Sequence, residues 1–189
     1  MLRNKEDVLQ LIYSDKNMME IIKAASTLNL PDWWICAGFL RSKIWDALHG
    51  FNNKTEIADV DVIYFDLTNM EEDIEKEFEN KLRNIMPNIP WSVKNQARMH
   101  IINSFPPYTS SEDAISKFPE TATALGVKLD QDHNLVLTAP CGLEDIINLE
   151  LKPTAFFTET EDRAAIYEKR IKNKNWQSIW YKIKVQHIN

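Results

Sequence analysis

Between Glu6 and Leu28, Val8, Leu11, Ile12, Met19, Ile22 and Ala25 recur at helical spacing, which predicts one long helix. Leu30-Pro31-Asp32 ends it, because proline lacks the N–H and the free φ that a helix needs. Trp33 to Ala37 is a short unbroken apolar run and reads as a buried strand. Phe39 to Leu48 places Leu40, Ile44, Trp45, Ala47 and Leu48 on one side of a helix. A polar loop follows, then a second strand from Ala58 to Phe65, apolar except for Asp59 and Asp61. Glu71 to Leu82 is a charged amphipathic helix whose acidic run reads as a solvated face. After a turn over Met86 to Pro90, Trp91 to Ile102 alternates and predicts a strand. Val93, Asn95, Ala97 and Met99 fall on one face, and Lys94, Gln96, Arg98 and His100 on the other.

The second half predicts smaller elements. Ser110-Ser111-Glu112 opens a short helix ending near Phe118-Pro119. Thr123 to Leu129 and Leu135 to Ala139 form a hairpin, and Asp130 to Asn134 make its turn. Leu143 to Leu151 is helical and is stopped by Lys152-Pro153; Asp162 to Lys172 is a further helix. Trp176, Ile179, Trp180 and Ile183 form an apolar stripe that docks the C-terminus. The pattern divides into a core over residues 1–105 and an extension over 106–189 packed on it.

Composition narrows the function classes. Formal charge is −6, from 22 basic and 28 acidic residues, and no basic tail stands out, so binding of bulk nucleic acid is not expected. Cys36 and Cys141 are expected to be reduced. With no secretory leader pattern and no apolar run of about twenty residues, a cytoplasmic protein is expected.

The chemistry concentrates in Ile35 to Asp66. Asp59 and Asp61 are two residues apart and share a strand face. Paired carboxylates on an apolar strand repel and desolvate badly. A divalent cation relieves both problems, and Mg²⁺ takes one or two carboxylates together with waters and substrate phosphate oxygens. Upstream, a strand, Gly38 and a helix start form an anion site, because free N–H groups and the helix dipole both favour phosphate. Gly38 is read as the residue that allows the tight turn. Arg41 is either a phosphate partner or active-site structural residue, or else an exposed helix residue or an intramolecular partner of Asp46. Asp66, out of register with the acidic pair, is assigned to the N-cap region of the next helix.

Ala37-Gly38-Phe39-Leu40-Arg41, followed by Asp-x-Asp on a strand, resembles the DNA polymerase β-type nucleotidyltransferase superfamily. It is similar to the Gly-Gly-x-Val-Arg-Asp signature of tRNA nucleotidyltransferases, with Ala37 and Ser42 where Gly and Asp would stand. The runs Val93 to His100, Phe118 to Thr123 and Ala139 to Asp145 resemble a bacterial family of small nucleotidyltransferase-like proteins. The resemblance implies an α/β (α+β) fold with a mixed sheet flanked by helices. It implies transfer of a nucleoside monophosphate (NMP) from a nucleoside triphosphate (NTP) to an unidentified acceptor, with Mg²⁺ or Mn²⁺ on Asp59 and Asp61. Backbone N–H groups of Gly38, Phe39 and Leu40, together with Arg41, would hold phosphates. Such sites carry a third carboxylate on the next strand, yet no Asp or Glu lies between Glu79 and Glu112. Either Asn95 or Gln96 then stands in as a neutral ligand or the acid comes from elsewhere. The polar face could instead read the phosphates or base of a nucleotide, with Lys94 and Arg98 as phosphate partners, or be the solvated face of an edge strand. A catalytically weak nucleotide-binding module is the alternative.

Overall fold

The computed structural model describes residues 2–188. Two helices, α1 (Lys5–Tyr13) and α2 (Lys16–Ser26), replace the single helix expected over Glu6–Leu28. The break sits at Ser14 and Asp15. Asp15 caps α2 by accepting from the Met18 N–H at 3.3 Å, and it also binds Lys43 and Lys54. An N-cap that collects two ammonium groups fixes the chain there more firmly than the apolar period carries it through.

Strand β1 (Trp34–Cys36) leads into α3 (Gly38–His49), and β2 (Val60–Tyr64) follows after a loop. Next come α4 (Glu72–Ile85), β3 (Trp91–Asn95) and α5 (Gln96–Asn103). The strand expected over Trp91–Ile102 is therefore half strand and half helix. Alternation continues past Asn95, but the Asn95 side chain accepts from the Ala97 N–H at 3.1 Å and starts a helix. Asp66 does not cap α4, whose N-cap is Glu71; it accepts from the N–H and hydroxyl of Thr68 and closes its own loop.

Beyond α6 (Ser111–Ser116), the hairpin β4 (Gly126–Leu129) and β5 (Leu135–Thr138) forms as the pattern predicts. It joins β1, giving one mixed sheet in the order β3-β2-β1-β4-β5. Residues on both sides of position 105 thus build a single sheet. The helix expected over Leu143–Leu151 shortens to α7 (Glu144–Ile147), because Leu149 at φ 59 turns the chain into β6 (Glu150–Leu151). Then α8 (Ala155–Thr158) and α9 (Glu161–Lys174) precede β7 (Lys184–Val185), which pairs with β6 in parallel. All six tryptophans are buried.

The two sheet faces differ. Val60, Val62 and Tyr64 point into the main core with Val8, Ile22 and Leu40, so the first four helices cover that face. On the other face Trp34, Cys36 and Ile63 form a smaller cluster with Ile115 of α6. Asp61 lies on this second face, since it pairs with Cys36 and alternates with Val60 and Val62. Packing a carboxylate there rather than into the main core leaves it open to one side.

Candidate active site

The turn from β1 into α3 is made by Ala37, at φ 54 and ψ −119, and not by Gly38, which has no positive φ. The distinction matters for what Gly38 does. A Cβ built on it would lie 3.6 Å from the Arg41 guanidinium, an ordinary contact, so its lack of a side chain leaves space in a cleft rather than relieving backbone strain. The N-cap carries no side-chain bond. The Gly38 and Phe39 N–H groups find no acceptor among the described residues, whereas those of Leu40 and Arg41 donate to the Ala37 carbonyl. The Phe39 and Leu40 side chains are fully buried and serve the core.

Gly38, Arg41, Asp59 and Asp61 line one cleft of about 220 Å³. Asp59 is exposed just ahead of β2, and Asp61 is partly buried within it. Burial pushes the Asp61 carboxyl up, and the Asp59 charge adds to this; the nearby Ser92 hydroxyl, Arg170 and Lys174 pull the other way. The loop that delivers the pair is pinned at two points. Lys54 reaches Asp15 at 2.8 Å, and the Thr55 N–H and hydroxyl donate to Asp46 at 2.8 and 2.6 Å. Two adjacent carboxylates, one with its ionisation opposed, are a donor set that suits a single Mg²⁺ sharing its remaining positions with water and phosphate. Among the described residues, no three His, Cys, Asp or Glu side chains gather where they could hold a metal.

The rest of the cleft comes from the C-terminal region. Arg170 and Lys174 of α9 line it, with Trp176 and Trp180 beyond them. Trp180 docks by donating from Nε1 to Asp46 at 2.8 Å. The Arg41 guanidinium lies 4.5 Å from the Trp176 ring centre and 5.1 Å from that of Trp180. Burial lowers its pKa to about 10, which leaves it charged at neutral pH, and its Nε is buried without a partner. Arg41 does not bond Asp46, whose carboxylate is occupied by Thr55 and Trp180.

A family model described as Nucleotidyltransferase matches residues 23–185. The chain belongs to this nucleotidyltransferase family. An NMR structure described as revealing a CCA-adding enzyme head domain is 36% identical and superposes with a TM-score of 0.89, over 100% of this chain and 98% of that one. A CCA-adding enzyme in complex with CTP is 12% identical with a TM-score of 0.60, over 98% of this chain and 44% of that one, a likeness of fold alone. No curated protein matched. The mixed sheet flanked by helices is thus a nucleotidyltransferase head-domain fold. No helix among the described residues is long and apolar enough to cross a membrane.

In this nucleotidyltransferase the two cations expected from β3 do not line the cleft. Arg98, on α5, gives Nε and a terminal nitrogen to Glu75 at 3.0 and 2.7 Å. Lys94 reaches the same carboxylate at 3.4 Å. Glu75 is fully buried and also accepts from the Asn95 N–H, while Glu79 accepts from that of Val93. The acidic run of α4 is therefore partly a seal on the free edge of β3, not only a solvated face. Asn95 is spent on the Asp66 and Asn69 carbonyls and the Ala97 N–H, and Gln96 on the Lys94 carbonyl. The Asp130 turn is closed by its own bonds to Asp132 and Asn134. Sequence reasoning missed Arg170 and Lys174. One signal was present: after Glu168 there is no acid, but there are Lys169, Arg170, Lys172, Lys174, Lys182 and Lys184, a basic tail hidden in an acidic total.

Proposed function

We propose that this nucleotidyltransferase moves an NMP group from an NTP to an acceptor in the cleft between β2, the start of α3 and α9. One observation carries the reading: Asp59 and Asp61 share a single cleft with Gly38, whose N–H opens α3 with no acceptor among the described residues, and with Arg41, Arg170 and Lys174. That pairs a cation-binding edge with a phosphate-binding edge. Asp59 and Asp61 would hold Mg²⁺ or Mn²⁺; when bound, such an ion neutralises charge at the transferred phosphate and orients the attacking and leaving oxygens. The Gly38 and Phe39 N–H groups donate to phosphate oxygens, aided by the positive end of α3. Gly38 leaves room for those oxygens, and Arg41, held by its tryptophans, offers fixed positive charge beside them. Catalysis then rests on positioning and charge stabilisation, with little proton transfer by side chains.

The test is a screen of each labelled NTP with Mg²⁺ or Mn²⁺ against small-molecule and RNA acceptors, scoring labelled product and pyrophosphate. Wild type gives both with at least one acceptor. Asp59→Asn, at an exposed position, keeps its fold and loses roughly 10²-fold or more in rate, the several kcal/mol expected of a lost metal ligand. A second reading, a nucleotide-binding module, is favoured because, among the described residues, no third His, Cys, Asp or Glu joins the pair in a group placed to hold a metal. Tight NTP binding with no product from any acceptor selects that reading.

A further inference from the structure

We propose that Arg170 and Lys174 of α9 clamp the triphosphate tail, and that the buried Glu120 positions Arg170 for it. The proposal rests on the reading above that an NTP enters this cleft.

Arg170 and Lys174 are four residues apart on one helix, so their side chains share a face, and both line the cleft that holds Asp61 and Gly38. Arg170 uses only one edge of its guanidinium in the protein. Its Nε donates to Glu120 Oε1, while its two terminal nitrogens have no acceptor among the described residues. Those are the nitrogens that grip a phosphate in bidentate fashion. The Lys174 ammonium likewise has neither a hydrogen bond nor an ion pair among the described residues.

Glu120 explains why Arg170 is held rather than left to sweep through solvent. It is fully buried, and its second oxygen accepts from the Thr123 hydroxyl at 2.8 Å. The short 3₁₀ turn Thr121–Thr123 and the Thr121 N–H bond to the Lys152 carbonyl fix the loop that carries it. A buried carboxylate with one good cationic partner is costly to move. Anchoring Nε this way sets the plane of the guanidinium and frees its other edge for a ligand. Arg41, whose guanidinium faces the same Trp176 ring as that of Arg170, adds a third cation, and its buried Nε has no partner among the described residues.

The experiment is titration calorimetry of ATP, inorganic tripolyphosphate and adenosine with Mg²⁺ present, on the full chain. Arg170→Ala and Lys174→Ala should each weaken ATP and tripolyphosphate by about tenfold, the scale of one charge-assisted contact, and leave adenosine unchanged. Glu120→Gln should weaken both phosphate ligands less than Arg170→Ala does, and should have no effect in an Arg170→Ala background, because it acts through that arginine. If Glu120→Gln fails to fold, Thr123→Val, which loosens Glu120 and keeps its charge, replaces it in the same comparison. Phosphate-ligand affinities within twofold of wild type in both alanine variants overturn the clamp and leave the NTP reading standing. An additive effect of the Glu120 or Thr123 variant on Arg170→Ala overturns the positioning role. A wild-type protein that binds neither ATP nor tripolyphosphate overturns the NTP reading and the clamp together.

Discussion

Ala37→Gly should make this protein more stable. Ala37 sits at φ 54 and ψ −119, a region that alanine enters only under strain, and it does so at the hinge between β1 and α3. Such strain costs on the order of 1–3 kcal/mol. Two effects oppose the gain from relieving it. Glycine brings extra freedom to the unfolded chain, worth about 0.5–1 kcal/mol. The lost methyl, partly buried against the Trp34–Cys36 cluster, takes a fraction of the ~0.8 kcal/mol of a fully buried CH₂. A net gain of about 0.5–1 kcal/mol remains, which for a chain of 189 residues raises Tm by about 1–4 °C. Calorimetry and urea unfolding both read it, with the urea slope unchanged. The companion variant Gly38→Ala places its Cβ in ordinary contact with Arg41 at no positive φ, so it should alter stability by less than about 0.5 kcal/mol. A Tm that is unchanged or lower in Ala37→Gly, or a larger loss at Gly38 than at Ala37, refutes the claim that the strained residue of this turn is the alanine.

Two further outcomes follow from other parts of the structure. Burial alone would raise the Asp15 carboxyl, but Lys43 and Lys54 bring it down from 3.8 to about 2, so its ionised form stabilises the fold. That contribution is complete above about pH 4 and is lost as pH falls through about 2. Asp15→Asn should therefore unfold at lower urea than wild type at pH 7, with the gap closing on acidification across that window; a gap independent of pH would contradict the assignment. Glu75→Ala should cost about 3 kcal/mol or more, because it strands Arg98 and the Asn95 N–H beside a partly buried edge. Urea unfolding with a loss below about 1 kcal/mol would show that Arg98 finds water instead.

Where a few neighbouring residues settle the outcome, the sequence is enough. The apolar run Trp34–Cys36, the helix that follows Gly38 and the hairpin of β4 and β5 form where the pattern puts them, and Trp176, Trp180 and Ile183 of the C-terminal stripe are buried, while Ile179 is exposed. Asp59 and Asp61 reach a common cleft because a spacing of two on an extended chain keeps side chains together. The period alone could not find the break at Asp15 or the change from β3 to α5 at Asn95. In both places a single polar side chain captures a backbone N–H and overrides a continuing apolar rhythm. Ala37 and Gly38 show the same limit at one residue: composition suggested that the glycine turns the chain, but the turn falls on its neighbour. Only the tertiary structure decided which cations line the cleft. Lys94 and Arg98, nearer to Asp61 along the chain, are drawn to the buried Glu75, while Arg170 and Lys174, much farther along it, arrive on α9. Local spacing fixes which way a side chain leaves the backbone, but the partner it meets depends on which distant elements fold against it, and no pattern within a few residues encodes that.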